Sequence, residues 1–208
     1  AWIDCLARQP RGIFSSACHA PPQQALPLYR HAHRCMSVTP PVSLVNGPSL
    51  RAFNALYYHR PLPASPSLRH HGSFFYPLDG VRDWNRIYGR HGFYQYQCVL
   101  PPASSHDGIA AILARIAASG QGSFLAVLKT FGTRPAPGML SFARPGATLA
   151  LDFPNRGADS LRLFASLDAI VAQAGGALYP AKDARMPASL FRAGFPAWQA
   201  FSAFVDPK

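Results

Sequence analysis

Between residues 93 and 179 the sequence alternates between strand-like and helix-like hydrophobic patterns, and this order limits the fold more than any other feature. The strand-like runs, each bounded by proline or glycine, are 93–100, 123–131, 147–153 and 177–179. Apolar residues at helical spacing fill 105–119 and 159–174, and each stretch ends at glycine. The order β-α-β-β-α-β predicts an α+β fold, a ferredoxin-like split βαβ sandwich with an antiparallel-containing sheet and both helices on one face.

Proline dominates the first third of the chain. Ten prolines between residues 8 and 70 prevent long regular elements there, although a short helix is predicted at 49–58. The chain therefore divides into an irregular Pro-rich segment at 1–72, an α+β domain at 73–177 and a C-terminal stretch at 178–208.

The net charge of the chain is +11, and almost all of its positive residues are arginines. An excess of this size attracts nucleic acids. The arginines, however, are scattered singly among prolines and alanines and form no basic stripe. An anionic substrate or an acidic partner domain explains the charge equally well, so we predict no nucleic-acid partner.

The cysteine pattern predicts neither a metal site nor a disulfide framework, because no two cysteines form a CxxC pair. One cluster, His31-x-His33-x-Cys35, has ligand-like spacing, but its Pro-rich surroundings favour a solvated loop. Free thiols fit a reducing compartment. The four cysteines are Cys5, Cys18, Cys35 and Cys98.

No apolar run reaches the roughly 18–20 residues that a membrane span needs. The opening residues, AWIDCLARQP, lack the basic-then-apolar order of a signal peptide. We expect them to lie inside a longer chain, and the protein to be cytoplasmic or peripheral at the membrane or cell envelope.

The predicted topology makes the side-chain alternation of each strand informative, because one sheet face is covered by the two helices. The residues expected to face the helices include Leu149, Leu151, Phe153, Phe124, Ala126 and Leu128, with Leu161 and Leu167 facing them from the second helix. The residues expected to meet on the opposite face are Gln95, Gln97, Val127, Lys129, Thr148 and Ala150. Two amides and an ammonium beside small and apolar groups suit a polyhydroxylated, anionic ligand. An ordinary solvated sheet face explains the same residues equally well.

Several long motifs carry a family resemblance, in order along the chain. They are the opening AWID, then FFYPLDGVRDWNRIYGRHGFYQYQCVLP, SFLAVLKTFG, LALDFP and GGALYPAKDAR. Together they resemble the decaprenylphosphoryl-β-D-ribose oxidase family, flavoproteins of the vanillyl-alcohol oxidase superfamily. The resemblance covers most of the chain and is weak between about residues 20 and 50.

The resemblance implies an FAD-dependent oxidation of a sugar hydroxyl, at C2 of a polyprenyl-phosphoryl ribose or a related sugar or alditol. In that family an amino-terminal part binds FAD, a central α+β part binds substrate, and a carboxy-terminal return completes the FAD domain. It implies that 1–177 is substrate domain, that 178–208 begins the return, and that most of the FAD-binding part is absent here. It also implies a lipid-linked sugar phosphate as substrate and a short-chain reductase as partner.

The resemblance further implies roles for single residues. Lys182 matches the catalytic lysine beside the isoalloxazine ring, where a fixed cation stabilises the charge of the reduced flavin. Tyr179 matches a flavin-side aromatic. The residues that match the substrate pocket are Gln95 and Gln97, which orient the sugar, Lys129, Val127 and Phe131 in the pocket wall, and Trp2 in its lining.

The chain departs from the mycobacterial form of the family at three pocket positions. Thr148 and Ala150 replace an asparagine and a cysteine, and Phe75 replaces a tyrosine. Each change removes a polar group from the pocket, so the resemblance implies the reaction class rather than one particular substrate.

A second function stays open at this point, a stand-alone ferredoxin-like module that binds an anionic ligand or RNA. The bare sheet face would then stack bases. That mode needs aromatic residues where this sequence places Gln95 and Gln97.

Overall fold

The computed structural model of the protein describes residues 1–7, 9–21, 34–63, 65–183 and 185–206. The strands are β1 (Trp2–Ile3), β2 (Gly12–Ile13), β3 (Arg34–Cys35), β4 (Val81–Arg82), β5 (Phe93–Leu100), β6 (Ala126–Phe131), β7 (Gly146–Pro154) and β8 (Ala177–Leu178). The α-helices are α1 (Gly47–Tyr58), α2 (His71–Phe75), α3 (Pro102–Ser119), α4 (Ala158–Gln173), α5 (Ala188–Gly194) and α6 (Trp198–Ser202). Short 3-10 turns, Pro77–Gly80 and Trp84–Tyr88, lie on either side of β4.

Six strands form one sheet in the order β2-β1-β6-β7-β5-β8, and every neighbouring pair in it is antiparallel. The mixed α+β class and the antiparallel pairing are as predicted, and β7 lies between β5 and β6. The sequence predicts four strands, whereas the sheet has six, because β1 and β2 extend it beyond β6. The strands β3 and β4 form a separate parallel pair.

The helix-facing side of the sheet forms the main core with α3 and α4. Cys98 and Leu149 lie opposite each other in the β5–β7 register, and both are fully buried. Ile112 and Ile116 of α3 and Leu167 of α4 pack against the same cluster. Full burial of one such aliphatic side chain contributes about 1.5–3 kcal/mol, so this layer supplies much of the stability of the fold.

Phe124 does not face the helices, contrary to the prediction. The strand β6 begins at Ala126 instead of residue 123, so its alternation does not extend back to Phe124. The ring of Phe124 lies 6.0 Å from that of Tyr88 and 5.8 Å from that of Phe53, measured between centroids. These contacts place Phe124 on the face of the sheet opposite α3 and α4.

That second face is covered at both ends, whereas the sequence predicts a bare surface. At one end Val99 packs with Phe142 and Phe195, which come from the loop before β7 and the end of α5. At the other end Tyr88 stacks on Phe93, with ring centroids 4.5 Å apart. The polar residues of β5 and β7 therefore lie between two apolar clusters.

One buried carboxylate, that of Asp4, connects three elements near the start of the chain. Asp4 is 4% exposed and accepts hydrogen bonds from Arg11 of the segment before β2 at 2.8 Å and from Asn54 of α1 at 2.7 Å. Because a buried charge must be paired, this network joins β1, β2 and α1. The predicted irregular segment thus contains two strands of the main sheet.

The helix predicted at 49–58 is confirmed as α1. It begins two residues early because Asn46 and Ser49 form a reciprocal capping box, each side chain accepting from the backbone N–H of the other.

Among the described residues, no group of three or more His, Cys, Asp or Glu side chains could hold a metal ion. His31 and His33 of the predicted cluster lie outside the described residues. Within the described part of the chain, no helix is long and apolar enough to cross a membrane. The four cysteines are free, with Cys5 and Cys98 buried and Cys18 and Cys35 exposed.

The helix α4 corrects one further expectation. Leu161 is 45% exposed, because the buried stripe of the helix runs through Ser160, Leu163, Leu167 and Val171 instead. Leu161 and Leu167 therefore differ in burial on one helix, although the sequence predicts both to face the sheet.

We expect Leu167→Ala to lower the free energy of unfolding by about 2–5 kcal/mol, because it leaves a cavity at a fully buried position. The matched control, Leu161→Ala, should change it by no more than about 1 kcal/mol, since the site is close to a surface position. Urea unfolding followed by circular dichroism measures both variants. Equal losses would contradict the assigned helix face.

Candidate functional site

A chain of three hydrogen-bonded side chains crosses the centre of the second sheet face. The ammonium of Lys182 donates to Gln95 Oε1 at 2.9 Å. Gln95 Nε2 in turn donates to Asp152 Oδ1 at 3.1 Å. Gln95 and Asp152 are directly opposite in the β5–β7 register, so the sheet itself brings the amide to the carboxylate.

Lys182 is placed by a tight turn that follows β8. The backbone N–H of Tyr179 donates to the carbonyl of Gln97 at 2.9 Å, and that of Lys182 donates to the carbonyl of Tyr179 at 3.2 Å. Asp183 has a φ of 32°, in the left-handed region that few non-glycine residues adopt. Its carboxylate accepts from the backbone N–H of Gln95 at 2.7 Å, which holds the turn against β5.

The same turn is fastened to the helix layer by Arg185. Its guanidinium makes two hydrogen bonds to Asp168 of α4, at 2.7 and 3.0 Å. Asp168 also accepts from the Tyr96 hydroxyl at 3.1 Å, and the Arg185 guanidinium lies 4.8 Å from the centroid of the Phe164 ring. A bidentate pair of this kind is strong and directional, so it limits how far the Lys182 turn can move.

Asp152 is the unusual member of the chain. Asp152 is 4% exposed, and its Oδ2 has no hydrogen-bond partner among the described residues. Burial raises the pKa of this carboxyl from 3.8 to about 6, while the Gln95 hydrogen bond and the Lys182 charge act against that rise. The neighbouring charge of Asp183 raises the pKa further. The site therefore contains a carboxyl that titrates near neutral pH.

Next to this chain is a second polar pair. Gln97 Nε2 donates to Thr148 Oγ1 at 3.2 Å, and Thr148 is buried. Gln97 also lies opposite Ala150, which in turn lies opposite Val127 of β6. The small side chain of Ala150 thus lies between the amide of β5 and the apolar wall of β6.

The edge of the face beyond β7 carries the other predicted pocket residues. Lys129 is exposed and lies opposite Thr148, and Val127 lies opposite Trp2 of β1. The Trp2 indole donates to the carbonyl of Phe124 at 3.0 Å. Trp2 therefore lies on the same face of the sheet as Val127 and Lys129.

Three predicted aromatic residues have different surroundings. The ring of Phe131 meets that of Phe142 at 6.0 Å, and the ring of Tyr179 lies 4.7 Å from Phe142 and 6.0 Å from the Lys182 ammonium. Phe75 is 59% exposed at the end of α2, where its described ring contacts are with Phe74 and Tyr76. Phe131 and Tyr179 thus belong to the apolar end of the face, whereas Phe75 lies on a surface helix.

A shallow pocket with room for about one water molecule opens to solvent beside the Lys182 ammonium. Its lining includes Gln95, Gln97, Tyr179, Lys182, Asp183 and Met186. Chemically, it offers an ammonium, two amides, a carboxylate and the edge of an aromatic ring. Such groups can bind hydroxyls and stabilise a nearby negative charge.

Sequence reasoning missed three residues that organise this site. Strand alternation places Asp152 on the correct face, but nothing in the pattern marks it as a hydrogen-bond partner of Gln95. The role of Asp183 depends on an unusual backbone angle, and that of Arg185 depends on a contact with α4. The only available signal was an acidic residue on the same predicted sheet face as the glutamines.

Comparisons with known proteins find relatives that match over the whole of this chain. It is 33% identical to decaprenylphosphoryl-β-D-ribose oxidase of Mycolicibacterium smegmatis, over all of this chain and 47% of that protein. It is also 33% identical to an uncharacterized protein in the mprA 5′ region of Streptomyces coelicolor, over all of this chain and 61% of that protein. No model of a protein family matches the chain.

The chain spans about half the length of the first of these relatives and about three fifths of the second. Its similarity to the first runs across the strands β5, β6 and β7 and the turn that carries Lys182, because the match includes every residue of this chain. This protein is therefore a partial homologue of decaprenylphosphoryl-β-D-ribose oxidase.

Proposed function

We propose that this chain forms the substrate-binding part of an FAD-dependent oxidoreductase that oxidises a sugar hydroxyl, with hydride transfer to the flavin. The observation that carries the proposal is the hydrogen-bonded chain of Lys182, Gln95 and Asp152 at the centre of the sheet face. The substrate that fits the implied family is a polyprenyl-phosphoryl ribose, oxidised at C2, or a related sugar or alditol.

The groups around Lys182 fit the redox edge of a flavin. Tyr179 offers a half-buried ring, and the Lys182 ammonium lies 6.0 Å from its centroid. A cation beside an aromatic surface suits a ring system that gains negative charge when it is reduced. The flavin, when bound, supplies the hydride acceptor.

The size of the pocket supports a site that a second domain completes. Open to solvent and with room for about one water molecule, it is far smaller than the roughly 300–1,000 Å³ of typical small-molecule sites. A flavin-binding domain placed over the sheet face would add the missing wall. It would also exclude water from Lys182, which strengthens the electrostatic effect of its charge.

Gln97 would bind the sugar, and the buried Thr148 would orient the Gln97 amide. Thr148 Oγ1 accepts from Gln97, and the hydroxyl keeps its own hydrogen to donate. Lys129, exposed at the edge of the same face, offers a charge for an anionic group such as a phosphate. These groups make contacts with the substrate that are present before and during the reaction.

The partners follow from the same proposal. A lipid-linked sugar phosphate would bring the protein to the surface of a membrane, and a short-chain reductase would use the oxidised sugar. For the RNA-binding alternative, the centre of the face carries Gln95 and Gln97 where base stacking needs aromatic rings. No observation on this face favours it.

We expect the 208-residue chain alone to bind FAD weakly or not at all, because Tyr179 and Lys182 would contact only one edge of the ring. Quenching of FAD fluorescence on titration with the chain measures this, with free riboflavin as the control for binding of the ring alone. A yellow preparation with one flavin per chain would contradict the division of roles proposed here.

In the flavin-loaded enzyme that contains this chain, we expect Lys182→Ala to lower kcat by about 10²–10³-fold, because the lost charge acts as hydride transfers. Gln97→Ala should mainly raise KM, because its contact is equal in ground and transition states. Stopped-flow flavin reduction and steady-state kinetics measure both.

Leu161→Ala is the matched control for these two variants, since its exposed side chain lies on α4, away from the sheet face. It should leave kcat and KM unchanged. If Lys182→Ala kept a near-normal kcat, the role carried over to that lysine from the related oxidases would be wrong.

A further inference from the structure

We propose that Asp152 is the positioning residue of this site. Its ionised carboxylate fixes the orientation of the Gln95 amide, and the oriented amide holds the Lys182 ammonium. Protonation of Asp152 releases this order. The inference deepens the proposed function, on which the catalytic importance of Lys182 rests.

The hydrogen bonds that join Lys182, Gln95 and Asp152 are possible with only one orientation of the Gln95 amide. A carboxylate only accepts hydrogen bonds, and an ammonium only donates them. Gln95 has one end of each kind, so its NH₂ must point to Asp152 and its Oε1 to Lys182, as observed. The reverse orientation would place NH₂ against the ammonium and oxygen against the carboxylate, and both contacts would be repulsive.

When Asp152 is protonated, the Gln95 amide is no longer restricted to one orientation. A neutral carboxyl can donate as well as accept, so both orientations of the Gln95 amide become compatible with it. In the flipped orientation Lys182 loses its acceptor and is free to turn away. The Oδ2 atom of Asp152 is buried and has no hydrogen-bond partner in the described part of the chain, so the proton can bind there.

The groups that face Asp152 influence the pH at which its carboxylate is protonated. From the turn after β8 come the charges of Lys182 and Asp183, and from the 3-10 turn the Tyr88 hydroxyl donates to the Asp152 carbonyl at 3.5 Å. The backbone N–H of Asp152 donates to Ser123 Oγ, from the segment before β6, at 3.1 Å. Burial raises the pKa of Asp152 to about 6, so the change falls near neutral pH.

The test is a pH titration of the Gln95 side-chain amide by ¹H–¹⁵N NMR in the 208-residue chain, without flavin or substrate. We expect its resonances to shift with a midpoint near pH 6. Asp152→Asn should abolish that transition, because the amide of asparagine keeps an acceptor for Gln95 but does not titrate.

Two further variants test the assignment by the sign of their effects. Asp183→Asn should lower the midpoint, because it removes a negative charge that disfavours ionisation of Asp152. Lys182→Gln should raise the midpoint, because it removes the positive charge that favours ionisation. If Asp152→Asn does not fold, these opposite shifts still decide the question.

The inference is overturned if the Gln95 resonances do not change between pH 4.5 and 8, if their midpoint survives Asp152→Asn, or if the two neighbouring variants shift it in the same direction. These measurements need no catalysis. The expected titration combined with a near-normal kcat for Lys182→Ala would therefore reject the proposed function and leave the positioning role of Asp152 in place.

Discussion

The pairing of β5 with β7 in a single antiparallel register is the constraint on which both the core and the candidate site depend. In this register Cys98 lies opposite Leu149 on the helix side, and Gln95 lies opposite Asp152 on the other. A slip of one residue would exchange the two faces of a strand, bury the glutamines under the helices and expose the aliphatic residues. The main hydrophobic cluster lies on the helix side, so its burial stabilises this one register. The register in turn determines which polar groups lie opposite each other at the site.

The end of this pairing is marked by one close backbone contact. Gly146 begins β7 with a φ of 146°, and a Cβ at this position would overlap the carbonyl oxygen of Leu100. The loop before β7 can therefore pass close to the end of β5, and from there it brings Phe142 onto the second face beside Val99. The apolar end of the site follows from this approach.

The position of Lys182 depends on the helix layer as well as on the sheet. The turn that carries it is bonded to β5 through Asp183 and to α4 through the pair of Arg185 and Asp168. The carboxylate of Asp168 is largely buried, so loss of Arg185 would leave a buried charge without its partner. One ion pair thus connects the packing of α4 with the placement of an ammonium on the other side of the sheet.

Those parts of the fold that depend on local periodicity could be predicted from the sequence. The strand β5 has the predicted limits, because proline follows it directly and its alternation is unbroken. Phe124 was wrongly assigned because it precedes the first paired residue of β6, and the alternation rule applies only within a strand. The contacts of Arg185 could not be predicted, since they join residues that only the tertiary structure brings together.

The buried carboxylate of Asp152 lowers the stability of the fold. A carboxyl with a folded-state pKa near 6 and an unfolded value near 4 is more favourable to the folded state when protonated. The ionised form of Asp152 therefore destabilises the fold as pH rises from about 4 through 6, by on the order of 3 kcal/mol above that range. An asparagine would fill the same space without this cost. The fold tolerates this destabilising charge because the aliphatic layer on the opposite face stabilises it independently of Asp152. In the proposed arrangement, an acceptor-only group at this position gives the Gln95 amide a single orientation toward Lys182.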